Sequence, residues 1–158
     1  MHCLPSIEYV LERFSPAPSG KQLLPPLSDP YARALNRLAA FRGNQTIVPL
    51  FYRFLQSQPD SDDEHKSKRA EYIGALNDFT KSMHAQGPFW GGKDMSLADV
   101  MVYPWIFRST NVLKHFRSLK PEEWDAQEGG RMAKWLDAMM SVPAVASTCS
   151  TEDLYLDS

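Results

Sequence analysis

Eight consecutive apolar residues, from Val100 to Phe107, constrain the fold more than any other feature of this 158-residue sequence. A helix-start signal stands directly before them, because Ser96 and Asp99 have the spacing of a capping box. In that motif the serine oxygen accepts from the N–H three residues on, and the acidic side chain accepts from the serine N–H. A helix that is apolar on all sides must be buried on all sides. The sequence therefore predicts a central helix surrounded by others.

The other apolar residues also recur at helical spacing. Such stripes occupy Pro5–Phe14, Met132–Met139 and Tyr72–Met83, the last of which is expected to end at Gly87-Pro88. The proline-rich segment Ser15–Ser28 cannot hold a helix and is interpreted as a linker. No segment alternates apolar and polar residues over a useful strand length. The fold predicted is an all-α helical bundle of roughly six to eight helices.

A long helix is predicted to begin at Pro30. Asp29 can cap it, and the missing N–H of Pro30 costs nothing in the first turn. Pro49 removes one hydrogen bond inside the helix and predicts a kink that leaves a concave side. The expected apolar stripe of this helix consists of Tyr31, Leu35, Leu38, Phe41, Val48, Tyr52 and Leu55.

Composition narrows the class of protein. A net charge of -2 argues against a dedicated nucleic-acid binder, which would show a basic face. No stretch approaches the ~18 uncharged apolar residues of a membrane-spanning helix, and the N-terminus has no signal-peptide core. Cys3 and Cys149 lie far apart and lack metal-ligand spacing. We therefore expect reduced thiols, and a cytoplasmic protein that binds neither nucleic acid nor membrane.

Candidates for chemistry are few. The sequence has no phosphate-binding loop, dinucleotide fingerprint, zinc-protease helix or nucleophile elbow. None of the four histidines is three or four residues from another. The acidic run Asp62–Glu64 is interpreted as a solvated helix start, and capping accounts for the pair Ser96 and Asp99. No catalytic residue and no metal ligand is predicted.

Trp105 and Arg108 are the exception. They are three residues apart on the predicted central helix and hence share one face. An arginine in an apolar helix must find an anion or solvent. Two alternatives follow, a structural carboxylate such as Glu152 or Asp153, or an anionic ligand.

Four motifs, in their order and spacing, carry a family resemblance. They are Phe89–Gly92, Ser96–Asp99, Pro104-Trp105 with Arg108, and Val142–Val145. Together they resemble the all-helical C-terminal domain of cytosolic glutathione transferases, above all the omega class and its fungal relatives. The resemblance covers approximately Leu23 to Leu156. It implies that residues 23–158 form this domain.

The same resemblance implies that residues 1–22 are a remnant of the family's thioredoxin-like N-terminal domain plus a linker, since Ser6–Glu12 looks like the last helix of that domain. The family's catalytic residue precedes this helix. His2-Cys3 stands where the family usually has the Glu-Ser pair that contacts glutathione. The implied activity is glutathione-dependent transfer or thiol reduction on small electrophiles, with glutathione as co-substrate and no tightly bound cofactor. This chain alone is expected to be inactive.

The family's electrophile pocket forms between its two domains, and the resemblance carries one wall of it to this sequence. The matching positions are Phe41, Asn44, Val48, Trp105, Arg108, Leu154 and Tyr155. The alternative is that the aromatic residues among them only fill the core.

An apolar face without its partner domain tends to be covered by association. We therefore expect a homo-oligomer that forms through exposed apolar helical faces. Two alternatives to an enzyme stay open. One is a non-catalytic protein-interaction module of the same fold, and the other is a carrier of small hydrophobic ligands beside Trp105.

Overall fold

The computed structural model describes residues 3–14, 22–58, 62–125 and 130–156. In this part of the chain nine α-helices follow one another, and a π-helical turn, Ser109–Leu113, joins the fourth to the fifth. The helices are α1 (Cys3–Arg13), α2 (Pro30–Gln56), α3 (Asp62–Lys81), α4 (Leu97–Arg108), α5 (Lys114–Arg117), α6 (Glu122–Asp125), α7 (Arg131–Met140), α8 (Pro143–Ala146) and α9 (Glu152–Leu156). Within these ranges extended backbone pairs only in one isolated bridge, between Phe89 and Gly92. The predicted all-α class is confirmed. The number of helices exceeds the predicted six to eight because α5, α6, α8 and α9 are each about one turn long.

The central position predicted for α4 is confirmed for most of its surface. Leu97, Val102 and Ile106 are completely buried, and α4 lies against α2 and α7. One side differs from the prediction, since Pro104 is exposed and Trp105 is only half-buried. The helix is therefore enclosed along most of its length and open at its C-terminal end.

The start of α2 is as predicted. The side chain of Asp29 accepts a hydrogen bond of 2.9 Å from the Ala32 N–H, and Pro30 occupies the first helical position. The helix continues across Pro49 to Gln56.

The apolar stripe predicted for α2 is wrong for five of its seven members. Tyr31, Leu35, Leu38, Phe41 and Tyr52 are between 40% and 75% exposed, whereas Val48 is buried and Leu55 is half-buried against the core. Besides Val48, the helix buries Asn36, Ala40, Gly43, Ile47, Phe51 and Phe54. The physical reason is close packing, because a Cβ atom on Gly43 would lie 2.4 Å from Val102 Cγ2. Small residues thus bring α2 against α4, and several of the large apolar residues face outward.

The stripes predicted for α3 and α7 are buried. Tyr72, Leu76 and Phe79 of α3 belong to the main core, together with Met132 and Trp135 of α7. The predicted end of α3 is wrong, since the helix stops at Lys81 rather than near residue 87. The backbone turns there because the loop that follows folds back, with the N–H of residue 84 donating to the carbonyl of residue 90 at 2.8 Å.

α1 is joined to α2 by charged side chains. Arg37 Nε lies 2.5 Å from Glu8 Oε1, and Arg37 Nη2 lies 3.1 Å from Glu12 Oε1. The apolar stripe predicted for α1 is only partly covered, because Val10 and Phe14 are 51% and 63% exposed. Residues 15–21 of the predicted linker lie outside the described ranges, and the domain boundary after residue 22 stays a prediction.

No helix among the described residues combines the length and the apolar character that crossing a bilayer requires. Nor do the described His, Cys, Asp and Glu side chains gather in a group of three that could hold a metal ion.

Candidate functional site

Three of the predicted pocket residues meet at the C-terminal end of α4. The Arg108 guanidinium carbon lies 4.9 Å from the centre of the Trp105 ring and 5.9 Å from that of Tyr155. Tyr155 belongs to α9. Its ring also contacts the Phe107 ring edge to face, with 5.9 Å between the ring centres. The last described helix is thus folded onto the end of α4. We refer to Trp105, Arg108 and Tyr155 as the Arg108 cluster.

Two aromatic side chains of α2 extend this cluster. The Trp105 ring contacts Phe51 at 5.7 Å and Tyr52 at 5.4 Å between ring centres, both with an edge-to-face geometry. Phe51 is part of the core, whereas Tyr52 is 40% exposed. The aromatic surface therefore runs from the core outward and ends beside the half-buried guanidinium.

A π-helical turn fixes the backbone directly after the cluster. The Ser109 hydroxyl donates to the Trp105 carbonyl at 2.9 Å, and its oxygen lies 2.5 Å from the Tyr72 hydroxyl. Burial raises the pKa of Tyr72 well above its usual range, an effect that Ser109 partly opposes. The phenol therefore keeps its proton and acts as a structural hydrogen-bonding group rather than as a base.

The other predicted pocket residues are less well gathered. Val48 is buried and lies one helical turn from Tyr52, whereas Leu154 on α9 is 64% exposed. Phe41 and Asn44 are eleven and eight residues before Tyr52, which at 1.5 Å per residue is about 16 and about 12 Å along the helix axis. The structure brings together Trp105, Arg108 and Tyr155 of the predicted pocket, and it leaves Phe41 and Asn44 at a distance.

Two grooves lie elsewhere on the described surface. A groove of about 650 Å³ separates α1 from the segment before α2 and is lined by Val10, Phe14 and Leu27, among others. A groove of about 530 Å³ lies between α2 and α3 and is lined by residues that include Leu35 and Leu38. The sequence pattern predicts most of these side chains on the buried faces of their helices, whereas the structure exposes them.

Asp99 has a wider role than the predicted helix cap. Its carboxylate is completely buried and accepts from the Ser96 N–H at 2.8 Å, as the capping box requires. It also accepts from the Ser96 hydroxyl, the Trp90 N–H and the Trp135 indole N–H, at 2.6 to 2.7 Å. Capping alone therefore does not account for Asp99. Its carboxylate connects the loop that contains Trp90 with the start of α4 and with α7. Because both oxygens are fully used, it is not available as a catalytic base.

The thiol of Cys149 is half-buried and lies 3.8 Å from both the Tyr103 hydroxyl and the Met140 sulfur. Burial raises the pKa of Tyr103, and the neighbouring thiol adds to that effect. These surroundings fit the predicted inert thiol rather than an activated one. The side chains of Cys3, Glu152 and Asp153, which entered the predictions, lie outside the described part of the structure.

Comparison with known proteins agrees with this helical architecture. The sequence profile of the family described as glutathione S-transferase, C-terminal domain, matches residues 31–138. The chain belongs to this family. The match covers α2, α3, α4 and most of α7, and thus includes Trp105 and Arg108. A search of curated proteins found no match.

Solved structures show the same fold. Glutathione transferase omega 3C from Trametes versicolor superposes with a TM-score of 0.75 at 24% identity, over 91% of this chain and 59% of its own. A rice glutathione transferase in complex with glutathione superposes with a TM-score of 0.76 at 18% identity, over 96% of this chain and 65% of its own. A trimeric glutathione transferase from Leishmania superposes with a TM-score of 0.64 at 20% identity, over 96% of this chain and 32% of its own. The chain thus spans less than two thirds of each of these transferases.

Proposed function

We propose that this chain is the helical half of an omega-like glutathione transferase, and that the Arg108 cluster forms one wall of its electrophile pocket. The observation that carries the proposal is the gathering of Trp105, Tyr155 and Tyr52 around one half-buried guanidinium at the open end of α4. Aromatic faces with a single polar group are typical of small-molecule sites. Phe41, Val48 and Leu154 would line the same wall farther out, and Asn44 would be its polar edge.

The proposed reaction is glutathione-dependent transfer or thiol reduction on small electrophiles, with glutathione as co-substrate rather than as a tightly bound cofactor. Such a reaction needs a thiolate that is generated and aimed at the electrophile. Among the described side chains, Asp99 is saturated with hydrogen bonds, and Cys149 faces a phenol and a thioether. We therefore propose that this polypeptide alone does not turn over substrate in its cytoplasmic setting.

A direct assay tests this proposal. The purified chain, mixed with glutathione and either chlorodinitrobenzene or hydroxyethyl disulfide, is expected to give no turnover above the uncatalysed rate. Fusion of a thioredoxin-like domain from an omega transferase to its N-terminus is expected to restore turnover, and Trp105→Ala in that fusion is expected to raise the KM for the electrophile. Robust turnover by the chain alone that disappears in Cys3→Ala would contradict the proposal.

A second candidate function is an interaction module that assembles through the exposed apolar faces of its helices. The observation in its favour is that Tyr31, Leu35 and Leu38 of α2 are exposed beside the groove between α2 and α3. The Leishmania structure shows that a transferase of similar fold can form a trimer. We propose that this chain likewise forms a homo-oligomer.

Sedimentation velocity over a range of concentrations tests assembly. The expected result is a sedimentation coefficient that rises with concentration, and Leu35→Glu with Leu38→Glu is expected to shift the equilibrium to monomer. The matched control is Leu154→Glu, which places the same charge on an exposed leucine of α9. A monomer at all concentrations rules out the oligomer.

A further inference from the structure

Two hydroxyl groups in the core lie next to the Arg108 cluster. Tyr72 of α3 and Ser109 of the π-helical turn are both buried, and their oxygens are 2.5 Å apart. The single hydroxyl proton of Ser109 is donated to the Trp105 carbonyl, at 2.9 Å. The Tyr72 hydroxyl must therefore be the donor to Ser109. A directed chain of hydrogen bonds thus runs from α3 through Ser109 to the backbone of Trp105.

The ring of Tyr72 reaches Trp105 by a second route. Its centre lies 6.3 Å from that of Phe51, and the Phe51 ring contacts the Trp105 ring edge to face at 5.7 Å. Tyr72 therefore supports both the backbone and the indole ring of Trp105, although it belongs to another helix. Arg108, the residue before Ser109, has its guanidinium over that indole ring.

The place where the π-helical turn begins matters for Arg108. Trp105 and Arg108 share one face because the turn between them is α-helical, and the wide turn begins only at Ser109. π-helical turns are rare and occur frequently at functional sites. If the extra residue moved back along the chain by one position, the turn between Trp105 and Arg108 would widen and the guanidinium would leave the ring. The hydrogen bond from α3 to Ser109 opposes this shift.

We propose that Tyr72 and Ser109 are positioning residues, whose hydrogen bond fixes the start of the π-helical turn. By this means they hold the guanidinium of Arg108 over the Trp105 ring. The inference rests on the proposed function, because it concerns what keeps the same pocket wall in shape. Side chains that bind a ligand need supports that are themselves locked by packing and hydrogen bonds. Both hydroxyl-bearing side chains are enclosed, so they act without touching a ligand.

Proton NMR of the full chain tests the inference. The currents of the Trp105 and Tyr155 rings are expected to displace the side-chain resonances of Arg108 upfield of ordinary arginine values. Tyr72→Phe and Ser109→Ala are each expected to abolish most of this displacement. In the double variant the displacement is expected to stay lost, whereas the urea midpoint returns towards that of the unaltered chain, because no buried hydroxyl then lacks its partner.

The matched control is Thr110→Val. The Thr110 hydroxyl donates to the Phe107 carbonyl at 2.7 Å, in the same segment of the chain rather than in α3, so the displacement is expected to survive. The Trp135 indole N–H, which is bonded to Asp99 near the other end of α4, should keep its resonance in every variant. A displacement that persists in the double variant, or that recovers together with the urea midpoint, would overturn the inference. Its absence from the unaltered chain would do the same.

The fusion with a thioredoxin-like domain separates this inference from the proposed function. Tyr72→Phe combined with Ser109→Ala is expected to raise the KM for chlorodinitrobenzene severalfold and to leave kcat unchanged, the result of weaker binding alone. If Trp105→Ala raises the KM and the double variant does not, the pocket stands and the positioning role is wrong. An unchanged KM in Trp105→Ala as well would overturn the pocket, and the role of the pair with it.

Discussion

The charged residues at the two ends of α4 differ in their burial and in their hydrogen-bond partners. At the N-terminal end Asp99 is completely buried, and its two oxygens accept four hydrogen bonds from three separate segments. At the C-terminal end Arg108 is half-buried, and its nearest described neighbours are aromatic faces. A fully satisfied buried network makes a structure rigid and unique, whereas donors beside an apolar surface that have no acceptor among the described residues are available to a ligand. One helix thus combines a structural end with the end that we propose for ligand binding.

The largest expected effect lies at the structural end. Asp99→Asn replaces one acceptor oxygen by an NH₂ group and leaves buried donors of Ser96, Trp90 or Trp135 without a partner. We expect the free energy of unfolding to fall by about 2–4 kcal/mol, the cost of orphaning charge-assisted hydrogen bonds. Urea denaturation followed by circular dichroism measures it. Asp137→Asn on the exposed side of α7 is the matched control, and equal losses in the two variants would show that the Asp99 network is not special.

A smaller effect is expected where the first half of α4 packs against α2. Gly43→Ala would place a methyl group 2.4 Å from Val102 Cγ2, so we expect a net loss of about 1–2 kcal/mol in the free energy of unfolding. Gly74 of α3 has open space at the corresponding position, and Gly74→Ala is expected to stabilise by about 0.5–1 kcal/mol. Thermal unfolding of both variants tests the comparison, and a stabilising Gly43→Ala would contradict the tight contact.

The smallest effect is expected for Arg108, and Arg69 provides the contrast. Arg69→Gln removes the ion pair with Glu123 and is expected to cost about 1 kcal/mol of the free energy of unfolding, whereas Arg108→Gln is expected to stay within about 0.5 kcal/mol. A loss for Arg108→Gln as large as that for Arg69→Gln would indicate that Arg108 is structural after all.

The loss of unfolding free energy in the two arginine variants should also differ in its dependence on pH. Burial alone would raise the pKa of Glu123, but hydrogen bonds and charge from Arg69, with the Lys120 N–H, hold it below the ordinary value of about 4.5. A lowered carboxyl pKa stabilises the fold above the unfolded value and loses this contribution as pH falls through the folded value. Urea denaturation of Arg69→Gln should therefore show a smaller loss at about pH 3 than at about pH 7, and that of Arg108→Gln should show no such trend. A parallel trend in Arg108→Gln would point to a carboxylate partner within the chain.

Local signals predicted much of the fold. The caps of α2 and α4 depend on residues one to three positions apart, so Asp29 and Asp99 could be assigned from sequence. The buried face of α2 could not, because it is decided by how closely α4 approaches Gly43 and Ala40, which no pattern within α2 reveals. The early end of α3 likewise depends on the loop that returns to residue 84.

The candidate site likewise contains residues that local sequence signals predict and residues that only the packing of the helices brings together. Trp105 and Arg108 were paired from their spacing because residues three apart on a helix share a face. Tyr155 joins them only through the folding of α9 onto α4, and Tyr52 only through the packing of α2. The resemblance to a family supplied Tyr155, but Tyr52 was assigned to the core and lies at the rim of the aromatic surface. The hydrogen bonds that Asp99 receives from Trp90 and Trp135 likewise carry no sequence signal.

The π-helical turn after Arg108 also determines how the chain tolerates changes in length. A π turn holds one residue more than the α-helical turn it replaces, so it marks a position where a single residue fits without breaking the helix. Deletion of the half-buried Asn111 would let an ordinary α-helical turn close there, while the segment after it keeps its direction, because the π turn already absorbs the extra residue. Leu113, now completely enclosed, would then keep its place in the core. The chain can thus lose one residue at this position without losing the packing of the residues that follow.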